Sequence, residues 1–242
     1  MNKEPIQWAY GITTVPERIH TYLPNTLKSL SLAGFDSPRL FVDGVQDSKS
    51  YNHLKLEVTT RWPRIRTVGN WVLSAWELLF RNPEATHYAI FEDDLVTYVG
   101  LREYLELVPC PDKGYCNLFT NPNNQLQTPH YDFCGWYPAN QQGQEAVGLV
   151  FTHEALDVLL SSRQFTLQVH EKNNRNLDVI DGGVVEAMHN AGWKEYVHSP
   201  SLVQHKGNIS ALKHGKFPPS DWFCGESFNV MDLLEDIKSN NE

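Results

Sequence analysis

The chain has 242 residues, 41% of them hydrophobic and 12% aromatic, enough for one large α/β domain or two small ones with a real core. A formal net charge of −9 argues against nucleic-acid binding through a broadly basic surface. No apolar signal segment opens the sequence and no run reaches the length of a membrane span, so a cytoplasmic protein is expected.

Trp8–Thr14 reads as a short first strand ending in small polar residues. Pro16 suits the first turn of a helix, with Thr14 as its cap. Residues 26–33 look helical, with Leu27, Leu30 and Leu32 facing inward and Gly34 as the stop. Arg39–Asp43 is a second buried strand ending in an acid, so the two strands should be parallel with a right-handed crossover. Residues 51–62 carry no clear pattern, and 64–68 read as a third strand. Residues 69–82 form a helix with Val72, Ala75 and Leu79 on one face, ended by Pro83.

Residues 88–96, Tyr-Ala-Ile-Phe-Glu-Asp-Asp-Leu-Val, are the centre of the chain. The apolar run predicts a strand buried on both faces, and in α/β sheets ligands bind where such strands end. Three adjacent carboxylates repel one another and are costly to desolvate. A divalent cation is the natural compensation. The plainer alternative, an acidic turn in water, sits poorly with the flanking Phe91 and Leu95.

Beyond this point Leu101–Leu107 reads as a helix and 117–120 as a strand. Residues 121–144 lose periodicity and are rich in Asn, Gln, Pro, Gly and aromatics, which suggests a long functional loop. A strand over 146–151 and a helix over His153–Ser161 follow. Residues 177–180 lead into Asp181-Gly182-Gly183 and a helix over 184–190; 194–197 and 201–203 are extended, and 204–220 is a polar, basic loop. Residues 228–238 form a terminal amphipathic helix. No repeat or linker appears, so one domain is expected. The cysteines (Cys110, Cys116, Cys134, Cys224) lack C-x-x-C spacing. Free thiols in a reducing cytosol are expected, with a Cys110–Cys116 bridge as the alternative for a secreted chain.

Three polar clusters fall on one rim of the predicted sheet: Thr13, Thr14 and Arg18; Asp43; and Glu92, Asp93 and Asp94. No Walker-type or G-x-G-x-x-G loop is present to cradle phosphates. A metal bridging carboxylate and diphosphate is the remaining standard solution.

The order of these elements resembles the GT-A fold of nucleotide-sugar glycosyltransferases. Glu92-Asp93-Asp94 stands where those enzymes carry the Asp-x-Asp motif, with Glu where Asp is usual. Gly11-Ile12-Thr13-Thr14-Val15-Pro16-Glu17-Arg18 is similar to their first strand and nucleotide loop. Residues 26–35 and Phe41-Val42-Asp43-Gly44 fit the same scheme, and 200–207 (Pro-Ser-Leu-Val-Gln-His-Lys-Gly) are similar to a late segment of the N-acetylglucosaminyltransferase-IV type and its bacterial and phage relatives.

The resemblance implies a single domain with a mixed, mostly parallel central sheet flanked by helices, its nucleotide-binding half at about residues 1–100 and its acceptor-binding half at about 101–225. It implies Asp94 and His205 as ligands of Mn²⁺ or Mg²⁺, the imidazole favouring Mn²⁺. Thr13, Thr14, Arg18, Asp43, Asn70, Glu92 and Asp93 would serve the nucleotide, most simply a UDP-sugar, with Asp43 at the base or ribose. Lys206, Lys213 and Lys216 would neutralise the departing diphosphate. Asp181, or its competitor Asp178, would be the catalytic base of an inverting transfer. Trp136, Tyr137 and Gln144 would contact the acceptor.

Bland roles stand beside these: an N-cap for Asp181, a surface or core position for His205, a solvated loop for the lysines, and the core for Trp136. The implied reaction moves a sugar to a hydroxyl of a glycan or polysaccharide. A phage-type DNA glycosyltransferase acting on a hydroxymethylated base, a nucleotidyltransferase and a non-catalytic carbohydrate-binding module are the alternatives.

Overall fold

In the computed structural model, which describes residues 5–167, 180–207 and 219–239, the apolar runs of the first half form parallel strands. Strand β1 (Trp8–Thr14) lies between β2 (Arg39–Asp43) and β4 (His87–Glu92), and β3 (Val58–Arg61) extends the parallel set beyond β2. A short strand β5 (Leu95–Thr97) follows β4 after a tight turn at Asp93 and Asp94. The second half adds β6 (Gly114–Asn117), β7 (Gly135–Pro138), β8 (Gly148–Thr152) and β9 (Lys194–Ser199). The sheet order is β3-β2-β1-β4-β8-β6-β9-β7. Strand β8 runs antiparallel to β4 and β6, and β7 antiparallel to β9. This is the expected architecture: one α/β domain with a mixed, mostly parallel sheet.

Alternation along β4 shows why helices cover both faces. Ala89 and Phe91 pack into one core and Tyr88 and Ile90 into the other, and all four are fully buried. Helices α1 (Leu23–Leu32) and α3 (Leu101–Leu107) cover the first face. Helices α2 (Arg66–Arg81), α5 (His153–Ser161) and α7 (Ile180–Asn190) cover the second. The short helices α4 (Pro122–Gln125), α6 (Arg163–Leu167) and α8 (Leu233–Ser239) complete the set among the described residues. Among the described residues no helix is long and apolar enough to cross a membrane.

Four local expectations are corrected. The third strand is Val58–Arg61, whose β-branched residues pair with β2; residues 66–68 belong to α2. Helix α1 begins at Leu23, so its inner face runs through Leu23, Thr26 and Leu30, and Leu32 is 54% exposed. Pro16–Arg18 forms only a 3-10 turn, and Thr14 does not cap it. Cys110 and Cys116 are joined in a disulfide, whereas Cys134 and Cys224 are free thiols. Cys110 and Cys116 are therefore not the free thiols expected of a reducing compartment.

One further strand completes the scaffold for the site. Strand β10 (Val203–His205) pairs antiparallel with β5, bringing His205 opposite Leu95. The amide of Lys206 then donates to the carbonyl of Asp94 at 2.7 Å.

Candidate active site

The carboxylates leave β4 at the C-terminal end of the parallel strands, and two helical side chains hold the turn that presents them. The Thr26 hydroxyl lies within hydrogen-bond distance of the Asp93 and Leu95 carbonyls, at 2.7 and 2.9 Å. Ser29 Oγ accepts from the Thr97 amide at 2.8 Å. These polar residues on the buried face of α1 tie the β4–β5 turn to the helix.

Two cations meet the acids. Arg18 Nη1 donates to Asp93 Oδ1 at 2.5 Å and to Asp94 Oδ2 at 2.7 Å, and its guanidinium lies over the Tyr22 ring. His205 Nε2 lies 3.2 Å from the same Asp94 oxygen, and its Nδ1 lies 3.2 Å from Glu145 Oε2. The Thr14 hydroxyl donates to Asp93 Oδ2 at 2.5 Å. Gly207 permits this crowding: a Cβ there would stand 2.8 Å from His205 Nε2 and closer still to the Asp94 carboxylate.

The electrostatics sort the three acids. Burial, then the charge of Asp94, pushes Glu92 up to about 8. Burial also raises Asp93, to about 6, against the opposing pull of Arg18. Burial would raise Asp94 too, but His205 and Arg18 outweigh it and hold it below its ordinary value. Burial would lower His205, yet its contacts with Asp94 and Glu145 raise it to about 10. Asp94 is thus the acid of the cluster whose charged form its neighbours favour most.

One ligand atom from each of Glu92, Asp94 and His205 lies within 4.8 Å of the other two. This trio can hold a divalent cation. Asp94 Oδ1 is buried and makes no hydrogen bond among the described residues, as a carboxylate oxygen reserved for an ion would be. Two carboxylates and an imidazole are a donor set for a first-row divalent ion. The grouping adds one feature to the expectation: Glu92, expected to serve the nucleotide, lies with Asp94 and His205.

Asp181 lies in the first turn of α7, one residue inside the helix, rather than ahead of a helix starting at 184. Its Oδ2 accepts from the Glu145 amide at 2.6 Å. Burial raises its pKa. Thus Glu145, which sequence reasoning passed over, touches both His205 and Asp181. Nothing local marks it; the signal lies in contacts 36 and 60 residues away.

Other candidates have contacts of their own. Asp43 is 2% exposed, and its two oxygens accept the amides of Ile65 and Arg66 at 2.8 Å, capping α2. Asn70 is 3% exposed and joins β2 to β3, donating to the Phe41 carbonyl and accepting from Arg61 Nε, both at 2.9 Å. Thr13 Oγ1 donates to the Phe91 carbonyl at 3.4 Å. The Lys206 ammonium pairs with Glu226 at 3.0 Å.

Trp136 and Tyr137 sit on β7, the strand at the far edge of the sheet. The Trp136 indole donates to the Val108 carbonyl and packs edge-on against His198; Tyr137 is buried and donates to the Asn124 carbonyl. The structure does not bring them to the carboxylates. Gln144 Oε1 accepts from Asn140 at 3.4 Å. Asp178, Lys213 and Lys216 lie outside the described residues.

No protein-family model and no curated protein matches the sequence. Solved structures do match in fold. GalNAc-T7, crystallised with UDP, GalNAc and Mn²⁺, is similar at a TM-score of 0.57 and 10% identity over 98% of this chain and 48% of that one. S. aureus TarS is similar at 0.51 and 9% identity, over 82% of this chain and 36% of that one. A cytidylyltransferase from Leptospira borgpetersenii aligns at 0.49 and 13% identity. This chain therefore spans about half the length of the GalNAc-T7 chain. Identities this low show a shared fold, the GT-A-like sheet and its flanking helices.

Proposed function

We propose that the chain is a metal-dependent glycosyltransferase that takes its sugar from a nucleotide-diphosphate donor, most simply a UDP-sugar. The observation that carries this reading is the meeting of Glu92, Asp94 and His205 at the end of a central parallel strand. Strand ends of this kind are where α/β folds bind ligands. GalNAc-T7, which has the same fold, was crystallised with UDP and Mn²⁺, in keeping with the reading.

Each residue then has a role. Glu92, Asp94 and His205 would hold the cation, with Mn²⁺ favoured by the imidazole. A cation held there would supply positive charge against the departing diphosphate. Arg18 neutralises the buried pair Asp93 and Asp94, and Thr14 orients Asp93. Asp181 takes the proton of the acceptor hydroxyl as that oxygen bonds to the anomeric carbon and the bond to the diphosphate oxygen breaks, with inversion. Its raised pKa suits a base that must also release the proton. The acidic surface, net charge −9, favours a glycan over DNA as acceptor.

The test is a screen of UDP-, GDP- and TDP-sugars with Mn²⁺, read by thermal shift and by hydrolysis of the donor. Stabilisation and slow hydrolysis of one class are expected. No response to any of them overturns the proposal.

A further inference from the structure

Glu145 stands between the two halves of the candidate site. Its backbone is in the left-handed region, φ 58°, which a residue with a Cβ rarely adopts. Asn117 holds it there. The Asn117 amide group donates to the carbonyls of Gln144 and Glu145 at 3.3 and 3.0 Å, and to buried Glu195 Oε1 at 3.1 Å. Gly143, φ 66°, lets the same loop lie against α7; a Cβ there would be 2.5 Å from the Asp181 main chain.

From this posture Glu145 reaches in two directions. Its amide donates to Asp181 Oδ2 at 2.6 Å. Its carboxylate Oε2 accepts from His205 Nδ1 at 3.2 Å, while Oε1 accepts from Asn121 Nδ2 at 3.0 Å.

We propose that Glu145 is a positioning residue that couples the cation site to the base. Its carboxylate aims His205 Nε2 at the Asp94 side, and its main chain fixes Asp181. The inference rests on reading Glu92, Asp94 and His205 as a cation site. An imidazole that ligates through Nε2 keeps its proton on Nδ1, and an acceptor at Nδ1 sets both tautomer and ring plane. Glutamine cannot serve as well. A carboxylate accepts from Asn121 and His205 together, whereas an amide has one oxygen. Its NH₂ faces a donor or draws the imidazole proton onto Nε2, the ligand atom.

The test titrates Mn²⁺ alone into the full chain and reads the free ion by electron paramagnetic resonance. E145Q and E145G are expected to bind Mn²⁺ about ten- to hundred-fold more weakly than the wild type. Glycine favours φ above zero, so E145G keeps the backbone posture and its melting temperature tracks folding separately from metal affinity. At saturating Mn²⁺, E145G is expected to recover most of the donor hydrolysis, because the amide that holds Asp181 remains. E145G that folds and binds Mn²⁺ as tightly as wild type overturns the role of the carboxylate. Hydrolysis that stays low at saturating Mn²⁺ overturns the division of labour. A wild-type chain that binds no Mn²⁺ overturns the cation site itself, a distinct outcome.

Discussion

Asp94 and His205 come from distant parts of the chain and meet at 3.2 Å, Oδ2 to Nε2. The pairing of β5 with β10 makes the meeting obligatory, since it registers His205 opposite Leu95, the residue after Asp94. The contact is therefore a property of the fold rather than of two mobile surface groups.

Arg18 acts as a resident cation on Asp93 and Asp94. R18M leaves two buried carboxylates without it and is expected to destabilise the protein by about 3 kcal/mol. A divalent ion then has more to neutralise. The rise in melting temperature on adding Mn²⁺ is expected to be larger in R18M than in wild type. An equal or smaller rise would show that Arg18 and the ion do not serve the same charge.

Glu195 gives a pH dependence with a definite sign. It is 2% exposed, and burial, with the charge of Asp181 adding and the Asn117 hydrogen bond opposing, raises its pKa to about 7. Between its ordinary value and that raised one, the folded protein holds a proton that the unfolded chain has lost. The folded state binds more protons there, so stability falls as pH rises, by up to about 3 kcal/mol across the window. Urea unfolding from about pH 5 to 7.5 is expected to show wild type losing stability relative to E195Q over that range. Parallel curves for the two proteins contradict this.

Asn70 separates a structural from a nucleotide-binding role. N70A strips partners from the buried Phe41 carbonyl and from Arg61, at an expected cost of about 2 kcal/mol. Nucleotide affinity of the folded fraction is expected to stay unchanged. A large loss of affinity at unchanged stability would return Asn70 to the site.

The central strand was legible because an apolar run buried on both faces has few other readings, and α3 matches its expected bounds of Leu101–Leu107. Asp94 was legible as charge at the end of that strand. His205 was reachable only through the family resemblance of 200–207, because nothing in a lone histidine says which strand it will oppose. Strand β3 was hidden because Val-Thr-Thr-Arg is short and only partly buried, with no apolar run to mark it. Asp43 was noticed for its position, but its partners are two backbone amides, which leave no mark in the side-chain pattern. Trp136 was read both as an acceptor contact and as core, because aromatics in an irregular segment look alike whether they face a ligand or a neighbouring strand.

The cation site bears the weight of the account, and calorimetric titration of UDP into wild type and D94N, each with and without Mn²⁺, tests it most directly. Wild type is expected to bind UDP only with Mn²⁺ present, and D94N to bind it in neither condition while remaining folded. UDP binding that ignores Mn²⁺, or that survives D94N unchanged, contradicts the account.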